Sequence, residues 1–553
     1  MTLPMIPTWL NEFAPIGILL VVVGIVLARL PSVEGLNHTP EYRKRRVFNW
    51  MALGLTYAFL YMARYNIKVS QYAFGEIKLK PDGDLLFGTE AAQAQLPTLM
   101  SNADFSTIFM WGTITYGSSF LINGPLTDRL GGKFSILMGA AGAAIMNLAM
   151  GFITWQIVND GQYAETFGAN LTLLFSILYS ANMYFQSFGA VAIVKCNAPW
   201  FHVRERGVFG AIFGILISLG VYFAYDINKM IIERRDDLGE KFYDFAALPY
   251  VFLIPTILLT VFFVVNQLIV RNTPGEAGFK DFDTADASSG DDGPQLGAVA
   301  VFKKMLTNPI IITIAFIEFC SGFLRQAIMQ WGPSYFQQTG CGKLKGPFVD
   351  GEGATLFGKE NVVATIDQQC LNFDQSFVMD NWGMLLCCAG IMGGVFAGVI
   401  SDRVFQSRRG PVAAVLYGLM LLGGIVMVFT YKTPLLPWLI IFMSMCIIGV
   451  HGMLSGTASM DFGGKKNVGV AVGIIDGFVY AGTAVMSFTY ARILPSDELA
   501  EGQVLAESAD PSNWLAWPWS MIPVALIGLI LATRLWNAKP KGKKAPQPEP
   551  EAA

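Results

Sequence analysis

The sequence predicts an all-α polytopic membrane protein built from two six-helix bundles related by a pseudo-two-fold, with one extra transmembrane helix in front. Three observations carry this. The 553-residue chain is 53% hydrophobic and only 14% charged, with a mean hydropathy of +0.47, whereas soluble domains are about one quarter charged. Apolar runs of about 20 residues, enough to cross the hydrocarbon core as a helix, recur along its whole length. One short pattern, G-x-[LI]-x-D-R followed by basic residues, occurs once per half, as "GPLTDRLGGK" (Gly124 to Lys133) and "GVISDRVFQSRRG" (Gly398 to Gly410). Self-similarity at a half-chain period signals duplication.

Thirteen spans are expected, at 13–30, 48–73, 104–126, 133–155, 168–198, 208–230, 247–270, 307–333, 377–400, 411–430, 436–459, 467–492 and 513–536. The first, "FAPIGILLVVVGIVLARL", lacks the basic flank and small-residue cleavage site of a signal peptide. It reads as an uncleaved helix within a leading segment 1–36. The two bundles then occupy 37–270 and 307–536. Between them, 271–306 turns acidic and rich in Gly and Ser and reads as a flexible cytoplasmic linker. The Pro- and charge-rich tail 537–553 reads as disordered.

Lys and Arg gather in alternate loops: "RKRR" at Arg43 to Arg46, then Arg129, Lys133, Arg204, Arg206, Arg403, Arg408, Arg409, Lys465, Lys466 and the tail. The positive-inside rule makes that side cytoplasmic, with the amino terminus outside and the carboxyl terminus inside an inner membrane. Net charge of −3 without a basic patch gives no footing for nucleic acid. The three histidines, His38, His202 and His451, form no metal-ligand cluster, and the chain has no Walker loop and no cofactor motif. An enzyme or an ATP-driven pump therefore finds no support. Seven cysteines exclude a disulfide scaffold. Cys341 and Cys370 share an outer loop, where pairing and two separate thiols are both open readings.

The stretch "YAFLYMARYNIKVSQ", Tyr57 to Gln71, places Arg64 and Lys68 within a membrane span. A charge there is costly and points to function. Tyr57, Tyr61, Arg64 and Lys68 fall on one helix face, as do Glu318 and Arg325 in the other half. Two guanidinium forks, one per half, suit the oxygens of a dianionic phosphate. Lys68 has two readings, substrate contact or snorkelling to the outer interface. Glu318 is either a titrating carboxylate or the salt-bridge partner of Arg325, and Asp476 is similar. His451 reads as helix packing, with a proton relay as the lesser alternative, and Asp226 and Lys229 as reaching lipid headgroups. Asp128, Arg129, Asp402 and Arg403 close short cytoplasmic loops, where charge pairs could lock one bundle against the other.

The loop pattern and six-plus-six layout resemble the major facilitator superfamily. Within it, "RYNIKVSQ", "FLRQAIMQWGPSYF", "SDRVFQSRRG" and "MDFGGKKNVGVAVGIIDGFVYAG" resemble the bacterial organophosphate:phosphate antiporters for glycerol-3-phosphate and hexose-6-phosphate, over roughly residues 45–536. The resemblance implies that Arg64 and Arg325 hold the substrate phosphate and that Tyr57 and Tyr480 are site tyrosines. Tyr65, Phe120 and Ile217 stand where members of the group often carry Lys, Lys and His, and Glu318 stands where the group is commonly uncharged. The expected function is secondary transport of a small anionic metabolite by a monomer in the bilayer, a phosphate ester being exchanged for inorganic phosphate by alternating access. A proton-coupled organic-anion symporter and a non-transporting sensor of a phosphorylated metabolite are the alternatives.

Overall fold

The computed structural model describes residues 38–80, 84–86, 96–235, 241–286, 298–339, 377–406, 408–495 and 507–538, with isolated positions at 17 and 21. The expected first span, both members of the Cys341/Cys370 pair and the tail from 539 lie outside the described residues, Gly17 and Val21 excepted.

Among the described residues, twelve long helices follow in order. The first half holds α1 (Pro40–Glu76), α2 (Asn102–Leu130), α3 (Gly132–Val158), α4 (Leu171–Asn197), α5 (Arg206–Tyr222) and α6 (Tyr250–Ile269). The second holds α7 (Pro309–Met329), α8 (Trp382–Arg403), α9 (Arg409–Thr430), α10 (Leu436–His451), α11 (Ser459–Ile493) and α12 (Ala516–Arg534). Local chemistry sets the starts. Thr39 caps α1 ahead of Pro40, Ser101 and Asp104 form a reciprocal capping box on α2, and Asn308 caps α7 ahead of Pro309. Gly131, at φ 89°, makes the sharp turn between α2 and α3.

Helix neighbours repeat with an offset of six. Within the halves, α2 packs on α4, α3 on α6 and α1 on α5; α8 packs on α10, α9 on α12 and α7 on α11. Between halves the main pairings are α2 with α11 and α5 with α8, which exchange under the same offset. This is the pseudo-two-fold anticipated from the repeated loops. Large apolar side chains on α3, α6, α9 and α12 face outward, among them Ile145, Leu268, Phe429 and Ile527. That belt is what lipid contact demands. By length and apolarity alone, nine stretches among the described residues could cross a bilayer, and neither α1 nor α2 is among them. In α1, Arg64 and Lys68 lower the hydropathy, and both are buried.

Two helices pass through π turns. One, Phe223–Ile227, extends α5 and carries Asp226; the other, Gly452–Ala458, joins α10 to α11. Inside α11 the backbone breaks at Gly464 (φ 68°) and Asn467, so its second part starts near Val468.

Candidate functional site: two buried guanidinium groups between the halves

Arg64 lies in the second half of α1, and Arg325 near the end of α7; both are buried, at 0% and 5% exposure. Arg64 is fully engaged by neutral groups. Its Nε donates to Gln186 Oε1 (2.8 Å), Nη1 to the Tyr480 hydroxyl (3.1 Å) and Nη2 to the Tyr116 hydroxyl (2.7 Å). The guanidinium also sits over the rings of Tyr61 and Tyr116, at 4.7 and 4.4 Å. Gln186 is held in turn by Asn182, which shares Asn147 with Asn66. A row of buried amides on α4, α3 and α1 therefore fixes where Arg64 points.

Arg325 is different. Its Nε and Nη2 are buried and have no hydrogen-bond partner. Its guanidinium lies over the ring of Tyr480, with Cζ 5.9 Å from the ring centroid. Tyr480 thus stands between the two cations, bonded to one and facing the other. Among the described residues, no carboxylate lies within ion-pair distance of either. Beside them Gln326 donates to the Tyr65 hydroxyl across the halves (3.2 Å). A void beside Arg325, lined by Val221, Met329, Leu386 and Ser444, measures about 10 Å³, room for at most one water.

The remaining sequence candidates sort as follows. Tyr57 and Tyr61 are buried and pack on one another at 5.3 Å, Tyr57 stacking on Phe213. Lys68 is buried, not snorkelling. Its Nζ donates to Gln71 Oε1 (2.9 Å) and lies 4.5 Å from the Phe105 ring. Glu318 does not pair with Arg325. The two share a face of α7 but stand two turns apart, about 10 Å along the axis. Glu318 Oε2 instead meets His451 Nδ1 at 2.8 Å, so His451 is more than packing. Asp476 accepts from the Ser455 hydroxyl at 2.5 Å.

At the loops, Asp128 joins the halves. It pairs with Lys195 (2.6 Å) and accepts the Gly469 and Val470 N–H groups (3.0 and 2.9 Å), capping the second part of α11. Arg129 and Arg403 are exposed, and the side chain of Asp402 lies outside the described residues. Asp226 does not reach for headgroups. It accepts the Gly383 and Met384 N–H groups (2.9 and 2.7 Å) at the start of α8, in the other half. Lys229 pairs with Glu233 at 3.2 Å.

Sequence reasoning passed over Tyr116 and Gln186, and also a buried ion network at the basic face. Arg206 bonds Asp286 of the connecting segment (2.8 Å) and Asp461 (3.4 Å), and Asp461 holds Arg409 (3.3 Å). Of the described parts of that segment, 271–286 is fastened further through Thr284 to Val203 and through Arg271 to Trp200, and Ala298–Leu306 is a short helix. Repeated Asp, Arg and Lys in the loops were the available signal.

Comparison with known proteins agrees with this architecture. The profile of the Major Facilitator Superfamily matches residues 46–487. The glycerol-3-phosphate transporter of Bacillus subtilis (strain 168) is 23% identical over 530 residues, 93% of this chain and 98% of that protein. The membrane sensor protein UhpC of Escherichia coli (strain K12) is 21% identical over 74% of this chain and 82% of its own length. A probable hexose phosphate transport protein of Chlamydia trachomatis is 22% identical over 90% of this chain and 92% of that protein. Among solved structures, the proton:xylose symporter XylE superposes with a TM-score of 0.60 at 12% identity, covering 89% of this chain and 95% of that one. Twelve helices with six-fold offset pairing, a repeated loop and a matching profile over most of the length make this multi-pass membrane protein a member of the Major Facilitator Superfamily.

Proposed function

We propose that the chain exchanges a small phosphorylated metabolite for inorganic phosphate across the inner membrane by alternating access. The observation that carries this is Arg325. It is a buried guanidinium with two unpartnered N–H groups, beside a tyrosine already bonded to Arg64 of the other half. Two such forks, with no described carboxylate to neutralise them, favour a dianion with several oxygens. The relatives named for glycerol-3-phosphate and hexose phosphate support a phosphate ester as substrate class. In this reading Arg64, Arg325 and Tyr480 hold the phosphate, while Tyr57, Tyr61 and Lys68 line the approach. The basic face is cytoplasmic, leaving the amino terminus outside and the carboxyl terminus inside. The bundles 37–270 and 307–536 of a monomer rock about the site, and the loops of Asp128, Arg129, Asp402 and Arg403 act in gating.

The test is counterflow of labelled phosphate in proteoliposomes. Wild type accumulates label against trapped unlabelled phosphate. Arg64→Lys and Arg325→Lys insert normally but lose at least a hundredfold in rate, because a point charge cannot replace a fork. Normal counterflow in either variant removes the two-fork site. The similarity to UhpC favours a second reading, a sensor. It would bind phosphate esters, seen as a rise in melting temperature, with no flux.

A further inference from the structure

The molecule carries a second group of buried ionisable side chains, next to the guanidinium site but separate from it. Glu318 on α7 is fully buried. Oε2 contacts His451 Nδ1, where α10 passes into the π turn Gly452–Ala458, and Oε1 has no hydrogen-bond partner. Ser455, in the same π turn, donates to Asp476 of α11. The groups facing this cluster are Cys320 from α7, Tyr417 from α9, and Asp476 from α11, with Arg325 further along α7. The Tyr417 hydroxyl is committed to the Ile317 carbonyl at 2.6 Å.

We propose that Glu318 and His451 form a proton-binding dyad, and that the proton travels with the transported anion in either direction. A 2.8 Å contact between a ring nitrogen and a carboxylate oxygen requires a proton between them. With only that proton the pair carries one negative charge. One more, taken at the open Oε1, makes it neutral. The dyad therefore binds and releases a single proton without moving a heavy atom. A purely structural ion pair is held by saturating both carboxylate oxygens, since burial otherwise outweighs the attraction. Here one oxygen is left open. The adjoining π turn is the kind of helical irregularity that recurs at functional sites.

The link to transport rests on the anion-exchange reading; the dyad itself stands on geometry. Glu318 and Arg325 are seven residues apart on one helix, about 10 Å along its axis. A phosphate on Arg325 adds negative charge at that range, which strengthens proton binding at the dyad by roughly tenfold. Proton and anion thus favour each other's binding, which is the sign for movement together.

Infrared difference spectroscopy of the purified full-length protein in nanodiscs tests the dyad. Acidification should raise a carbonyl-stretch band of a protonated carboxylic acid that shifts in heavy water, moves to higher pH when inorganic phosphate is added, and is absent from Glu318→Gln. No such band, or one that survives the substitution, overturns the proton site. Glu318→Asp retains the carboxyl, so the band should return in it, guarding against a variant that merely misfolds. Counterflow of labelled phosphate in proteoliposomes tests the coupling through its rate, because one-for-one exchange with a proton each way leaves no net pH change. A rate that falls as pH rises through the midpoint of the band in wild type, and not in Glu318→Gln, supports it; a pH-independent wild-type rate overturns it while leaving exchange standing. A titrating band in a protein that moves no phosphate sinks the exchange reading and keeps the proton site.

Discussion

Asp128 and Asp226 make the same contact at opposite faces of the molecule. Each carboxylate accepts two successive backbone N–H groups at the start of a helix belonging to the other half. Asp128 does so on the α2–α11 pairing at the basic face, and Asp226 on the α5–α8 pairing at the other. The two caps tie the halves together on either side of the guanidinium pair. Neutralising one cap should therefore favour opening at that face alone. Asp128→Asn and Asp226→Asn each weaken a charge–dipole contact by about 1 kcal/mol, close to a fivefold shift in population. Spin-label distances across α2–α11 and α5–α8 read this out. If both variants lengthened the same distance, the two caps would not be opposed gates.

Backbone proximity at the basic face gives a steric version of the same experiment. A Cβ placed on Gly469 would come within 2.5 Å of the Gly124 carbonyl oxygen, across the α2–α11 contact. Gly469→Ala should hold the basic face open at a cost of about 1–3 kcal/mol to the closed form. A methyl group on Gly418 would meet nothing within 4 Å, so Gly418→Ala supplies the silent control. Equal behaviour of the two alanine variants in the same distance measurement would exclude a tight helix contact there.

Gln186→Leu removes the acceptor for Arg64 Nε and leaves Asn182 Oδ1 with the Asn147 amide as its one described donor. Leaving a buried charged donor unsatisfied costs about 1–3 kcal/mol. The melting temperature should fall by several degrees, and phosphate counterflow should fall with it. Full stability in Gln186→Leu would mean that the amide row does not position Arg64.

Strong acid should loosen the basic face. Burial alone would raise the Glu205 carboxyl, but His38 at 3.6 Å, Arg46 at 3.2 Å and the His202 N–H outweigh it and hold the group below its ordinary value. A depressed carboxyl contributes stability above its unfolded value, about 4.3, and loses it as pH falls through the folded value. The melting-temperature advantage of wild type over Glu205→Gln should therefore be full near neutral pH and shrink below about pH 4. Arg46→Ala, which strands the buried carboxylate, should cost about 3 kcal/mol near neutral pH. An advantage that grew on acidification would reverse the sign and refute this.

Much of this fold is legible in the chain itself. Hydropathy and the repeated D-R loops predict the two bundles, because both are local properties. Arg64 and Arg325 stand out because a cation inside an apolar helix needs a reason. Their surroundings do not stand out. Gln186 is 122 residues from Arg64, and His451 is 133 from Glu318. Such partners are chosen by which helix faces meet, which no window along the chain reports. Neutral polar residues such as Tyr116 and Gln186 are also common enough in helices to carry no signal alone. The Glu318–Arg325 pairing fails for a related reason: sharing a face is not sharing a height.

The unpartnered nitrogens of Arg325 bear on the carrier's return stroke. Shutting both gates on an unloaded site seals two positive charges away from any counter-ion, at several kcal/mol per ion. Shutting them on a dianion cancels that charge. Under the proposed exchange, the carrier would behave as a turnstile that jams when nobody is in it, with cargo going one way matched by cargo coming back.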